Sequence, residues 1–129
     1  MSTENTKTIV TRYINSKHTD TSMMASDVVF TNMATGEKYK NPESVTNMLN
    51  YIYHVAFDAD AEVKNLIFTE DKAVFEADFV GKHIGEFAGF QATGKDVRVP
   101  LCVVYDIEED KIKNGRIYFE VPALFEQFK

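Results

Sequence analysis

Between Val97 and Ile107 every second residue is apolar: Val97, Val99, Leu101, Val103, Tyr105 and Ile107 share one side. A period of two belongs to a β-strand with one buried face. Similar long runs cover about 60–69, 72–84 and 111–120. Glu70-Asp71 and Glu109-Asp110 are compact polar breaks suited to tight hairpins, and Asn114-Gly115, the strongest two-residue hairpin pair, competes with Glu109-Asp110 for the last turn. Four consecutive long strands cannot be buried as a parallel sheet without helices between them, so this half of the chain is a meander.

The first half carries a period near 3.6. Residues 3–17 read as a helix capped by Ser2 or Thr3, with Ile9, Val10, Tyr13 and Ile14 as its apolar stripe. Thr19–Ser22 starts a second short helix through Met23 and Met24. Asp27–Thr31 reads as a strand, Ala34–Glu37 as a turn and Lys38–Lys40 as a short return strand. Asn41 then caps a helix with Pro42 in its first turn and Val45, Met48, Leu49 and Ile52 on one face; the pattern changes to β after His54. Helices followed by strands give an α+β domain, and 129 residues make a single one, 1–129.

Charge narrows the partners. A net charge of −6, with no basic run, lacks the electrostatic footprint of a nucleic-acid or anionic-membrane binder. No apolar run reaches membrane-spanning length, and the N-terminal residues have no apolar core of a signal peptide, so a cytoplasmic protein is expected. The lone Cys102 reads as a buried, inert thiol. The three histidines stand far apart, without ligand spacing for a metal.

The segment Gly81–Lys95 holds four of the six glycines, with His83 at its start. Such a glycine density marks close backbone approach or unusual φ/ψ. Ala73, Phe75, Ala77, Phe79, Gly81 and His83 share one strand face. In the last strand Arg116, Tyr118 and Glu120 share a face opposite Ile117 and Phe119. That polar line is either a solvated stripe or a site. His18 reads as a surface residue at a helix end, and His54 as packing against or capping its helix.

Thr93-Gly94-Lys95, Val97-Arg98-Val99, Lys111-Ile112, Tyr118-Phe119-Glu120 and Leu124-Phe125-Glu126-Gln127 follow one another in that order. Together they resemble the SnoaL-like polyketide cyclases of the NTF2-like, ketosteroid-isomerase-like superfamily, from about Asp27 to Gln127. The resemblance implies a cone-shaped, curved antiparallel sheet packed on the N-terminal helices, a half-barrel with an internal pocket, and its register puts the last turn at Glu109-Asp110, with Asn114-Gly115 as a bulge or kink. It implies a cofactor-free enzyme of cyclase or isomerase type acting on a small apolar ketone or ester. Glu120 matches the family's pocket Asp, one methylene longer, and His83 matches a His before Gly85-x-Phe87. These two are the expected catalytic residues, and Tyr118, Arg116, Tyr13, Phe75 and Phe79 the expected pocket residues. An enclosed carboxyl has a raised pKa and can exchange protons with carbon acids, whereas a close Arg116 would lower it. The resemblance also implies a homodimer through the outer sheet face, which Arg98, Pro100, Cys102, Val104 and Asp106 share. The alternatives are a non-catalytic binder of an apolar ligand and a dimeric interaction module with a filled interior.

Overall fold

The computed structural model of the chain describes residues 2–129. Helix α1 (Thr3–Asn15) is capped by the Ser2 side chain, which accepts from the Asn5 N–H. Its stripe of Ile9, Val10 and Tyr13 is buried as the spacing requires. A single 3₁₀ turn (Thr21–Met23) leads into β1 (Met24–Asn32), and β2 (Lys38–Lys40) returns beside it. Asn41 caps α2 (Pro42–Asn50), which runs on into a π-helical turn, Tyr51–Ala56. The meander follows as β3 (Phe57–Phe68), β4 (Lys72–His83), β5 (Asp96–Glu108) and β6 (Lys111–Phe119). A short helix α3 (Val121–Gln127) closes the chain; the sequence reading did not anticipate it.

The sheet order is β2-β1-β6-β5-β4-β3. All neighbours are antiparallel except β1 and β6, which run parallel. The expected antiparallel sheet is thus a mixed one. Nothing local in the sequence announces that pair, because α2 and four strands separate its members.

Glu109 and Asp110 both take positive φ, 52° and 62°, and form the β5–β6 hairpin where the polar break predicted it. Ile107 pairs with Ile112 but Asp106 with Asn114, so Lys113 is the extra residue of a bulge. Gly115 next to it is required for space. A Cβ there would lie 2.9 Å from the Phe30 ring.

The face that β6 presents inward follows from burial. Its register sets Ile117 beside Val103 and Phe119 beside Leu101 on the inner side. Burying two such residues contributes roughly 1.5–3 kcal/mol each. Turning the strand over would bury Arg116 and Glu120 instead, at a cost of several kcal/mol per unpaired ion. The apolar face therefore goes in and the charged face out.

One apolar cluster joins α1 and α2 to β1, β4, β5 and β6, with Tyr13, Val45, Phe30, Phe75 and Tyr105 at its centre. A second, built of Phe57, Phe79, Val99, Leu124 and Phe128, fills the end under α3. Among the described residues no helix is long and apolar enough to cross a membrane.

Candidate functional site

The concave side of the sheet and the segment from α2 through the π-turn enclose a cavity of about 790 Å³. Its deep wall is one patch contributed by three adjacent strands: Phe75 and Phe79, Leu101 and Val103, Ile117 and Phe119. The register builds this patch, since Phe75 pairs with Val103 and Val103 with Ile117. Phe75 and Phe79, two of the expected pocket residues, both line it.

Polar groups gather in two places. Asn32, Glu37, Tyr39, Ser44 and Asn47 line the side formed by the β1–β2 hairpin and α2. Glu37 is the only carboxylate among the described lining residues, and it is solvent-accessible. The Tyr39 hydroxyl donates to its Oε1. Partial burial, reinforced by Glu37, pushes the Tyr39 phenol up to about 12, so it remains a donor at neutral pH.

The second group is His18, Tyr53 and Tyr105. Tyr105 is 1% exposed, and burial raises its phenol well above the ordinary range. Burial raises Tyr53 as well. Burial lowers His18 to about 4, so its imidazole is neutral. The His18 ring stacks on Tyr53 with centroids 5.8 Å apart and meets the edges of Tyr13 and Phe75. It is not the surface residue expected. Helix α1 stops at Asn15, and Lys17 and His18 adopt φ of 57° and 63°, which turns the side chain inward. Periodicity carries no trace of two consecutive left-handed residues.

Tyr13 does not line the cavity. It is fully buried, its hydroxyl has no hydrogen-bond partner among the described residues, and its ring meets His18 and Tyr105 edge-on. His83 is also absent from the lining. It is fully buried between Phe57 and Phe128, the latter with ring centroids 4.3 Å apart. The Thr93 N–H donates to its Nδ1 over 3.2 Å. This places the ring proton on Nε2, and the side chain pins the 84–95 loop to the end of β4.

The expectation that Glu120 faces an enclosed pocket is corrected by the β6 register. Tyr118 pairs with Cys102 and Arg116 with Val104, both on the outer face, and Tyr118 is 45% exposed. Glu120 follows them, with its backbone N–H on the Pro100 carbonyl and its side chain exposed. Arg116 holds Asp106 through two hydrogen bonds of 2.6 and 3.1 Å. That guanidinium, helped by Lys72, lowers the Asp106 carboxyl to about 2. Cys102 lies on the same face and is half-buried, with its thiol pushed up by burial.

A smaller cavity of about 380 Å³ opens between α1 and β3. Ile14, Lys17, His54, Asp60 and Val63 line it, together with His18 and Tyr53.

A family model described as SnoaL-like polyketide cyclase matches residues 8–128. Among curated proteins none matches the chain. Solved structures match its fold. A candidate SnoaL-like polyketide cyclase from Jannaschia sp. CCS1 superposes with a TM-score of 0.85 at 16% identity, covering 99% of this chain and 93% of that one. A candidate hydroxylase from Streptomyces galilaeus gives 0.78 at 19% identity, covering 98% and 97%. A protein with a ketosteroid isomerase-like fold from Catenulispora acidiphila, in complex with trimethylamine, gives 0.74 at 14%, covering 92% and 90%. At these identities the structures speak to fold alone, and their differing descriptions fit a fold that hosts many activities.

Proposed function

The chain belongs to the SnoaL-like polyketide cyclase family, and from that membership we propose a cofactor-free enzyme of cyclase or isomerase type that enolises a small apolar ketone or ester. The observation that carries this reading is the 790 Å³ cavity with an apolar wall and one lining carboxylate, Glu37. Glu37 takes the place that the sequence suggested for Glu120.

The chemistry follows from the groups present. The Glu37 carboxylate removes the proton α to the carbonyl, and Tyr39 holds that carboxylate in position. The electron pair moves onto the carbonyl oxygen, which takes a hydrogen bond from the un-ionised Tyr105 phenol. Charge developing on oxygen against the apolar wall gains more from such a donor than it would in water. In a substrate with a second carbonyl, the enolate carbon attacks it and a ring C–C bond forms. Protonated Glu37 then returns its proton to the new alkoxide. Proton and electron pair balance within the step, so it calls for no redox partner.

A second reading is favoured by one observation. Glu37 is solvent-accessible, and the deep wall holds only neutral groups, which suits a protein that retains an apolar ligand without transforming it. Deuterium exchange at the α-carbon of 2-tetralone, followed by proton NMR in D₂O, separates the two. Enzyme of the proposed type exchanges it faster than buffer, and Glu37→Gln slows the protein-dependent rate by about a hundredfold. Binding of 2-tetralone without exchange would establish the second reading.

We also infer that two copies pair through the outer face. Ile67, Val74, Val104, Cys102 and Tyr118 form its apolar part, with Ile67 57% exposed. Light scattering at micromolar concentration is expected to give about twice the 14.7 kDa chain mass, and a monomer throughout would refute the pairing.

A further inference from the structure

We propose that the stacked rings of His18 and Tyr53 are a partition that sets the length of ligand the main cavity accepts, with the smaller cavity behind them as unused reach. The inference rests on the reading of the main cavity as a ligand site.

His18 and Tyr53 are the two residues that line both cavities. Their rings are 5.8 Å apart and inclined by 21°. On one side lies the cavity of about 790 Å³, on the other that of about 380 Å³. A ligand seated against Phe75 and Phe79 and extending toward α1 therefore meets two rings. Beyond them is a space lined in part by Ile14, Ala61 and Val63.

Both rings come from irregular backbone. His18 is the second of two consecutive residues with left-handed φ, a conformation that costs energy for a residue with a Cβ and persists where the surroundings fix it. Tyr53 lies in the π-turn Tyr51–Ala56, where wider winding displaces side chains from the α-helical pattern. It leans on Phe79 with ring centroids 5.2 Å apart. Two departures from regular helix thus converge on one contact. Burial keeps both groups uncharged, so the stack presents no ion to an apolar ligand. Tyr13 and Phe75 hold the imidazole edge-on from two other directions, which fixes the wall without a hydrogen bond to break.

The partition predicts a cut-off. In isothermal titration of the full chain with straight-chain 2-alkanones of increasing length, affinity should climb by about fourfold per methylene. It should then stop rising once the chain reaches the rings. Tyr53→Ala and His18→Ala should each move that stop several methylenes further, and both variants should still bind ketones shorter than the wild-type cut-off. Ile14→Trp, which fills the smaller cavity from the α1 side, should restore the original cut-off in the Tyr53→Ala background. Retained binding of the short ketones shows that each variant is folded. Variants that bind short ketones but keep the wild-type cut-off would overturn the partition and leave the main cavity standing. Wild-type protein that binds no ketone of any length would overturn both.

Discussion

The two faces of β5 and β6 treat ionisable groups in opposite ways. On the inner face Tyr105 is desolvated and held neutral, and His18, packed against that face, is neutral too. On the outer face Asp106 and Arg116 are fully ionised and hold each other, and Arg98 binds Asp78 and Glu62. The strands supply both environments at intervals of one residue. A charged line in a strand is therefore weak evidence for a site, because the face that can best host carbon-acid chemistry is the one that excludes ions. Candidate groups on the inner face are recognised by being polar and uncharged among apolar neighbours.

The largest effect should come from moving a charge across that divide. Val103→Asp places a carboxylate on the cavity wall and is expected to destabilise by about 3 kcal/mol or more, read from the urea midpoint. Val104→Asp, one residue away and facing outward opposite Arg116, should change the stability of the single chain by less than about 0.5 kcal/mol, read at a dilution where two copies have come apart. Equal losses at the two positions would break the contrast.

Acid separates the faces next. His18 titrates at about 4 in the folded chain and near 6.5 unfolded. Between those values the unfolded state binds the proton and the folded state does not. Stability is therefore complete above 6.5 and falls as pH drops toward 4, by roughly 3 kcal/mol. His18→Phe should flatten that window in urea midpoints taken near pH 7 and near pH 4.5. Asp106 acts lower down. Its carboxyl is depressed from 3.8 to about 2, so its contribution is present above 3.8 and is lost as pH falls through 2. Asp106→Asn should cost about 1 kcal/mol at neutral pH, and the cost should vanish in that acid range.

The smallest effect belongs to the residue the sequence favoured. Glu120→Gln should leave stability within about 0.5 kcal/mol of wild type and leave 2-tetralone exchange unchanged, because the side chain is exposed and outside the cavity.

What the sequence revealed and what it hid follow one rule. Helix caps at Ser2 and Asn41, the hairpin at Glu109-Asp110 and the alternation of 97–107 are local signals, and each is found in place. Alternation also sorted Arg116, Tyr118 and Glu120 correctly onto one face of β6. Which face looks into the cavity is decided by the partner strand, and there the apolar pair Ile117 and Phe119 governs. Burial alone turns Arg116 and Tyr118 outward. Glu37 and Tyr39 were hidden because Ala34–Glu37 read as a plain turn, and only the β1–β2 pairing brings them to the cavity. His18 was hidden because its direction comes from two left-handed residues after a helix end. Tyr105 was the one missed group with a usable signal: a phenol in the middle of an apolar face.

Intermolecular NOEs from bound 2-tetralone to methyl-labelled protein test most directly that the inner face is the site. Leu101, Val103 and Ile117 line the cavity, while Val74, Val80 and Val104 alternate with inner residues on the opposite face. The account predicts NOEs to the first three methyl groups and none to the second three. NOEs confined to Val74, Val80 and Val104 would contradict it.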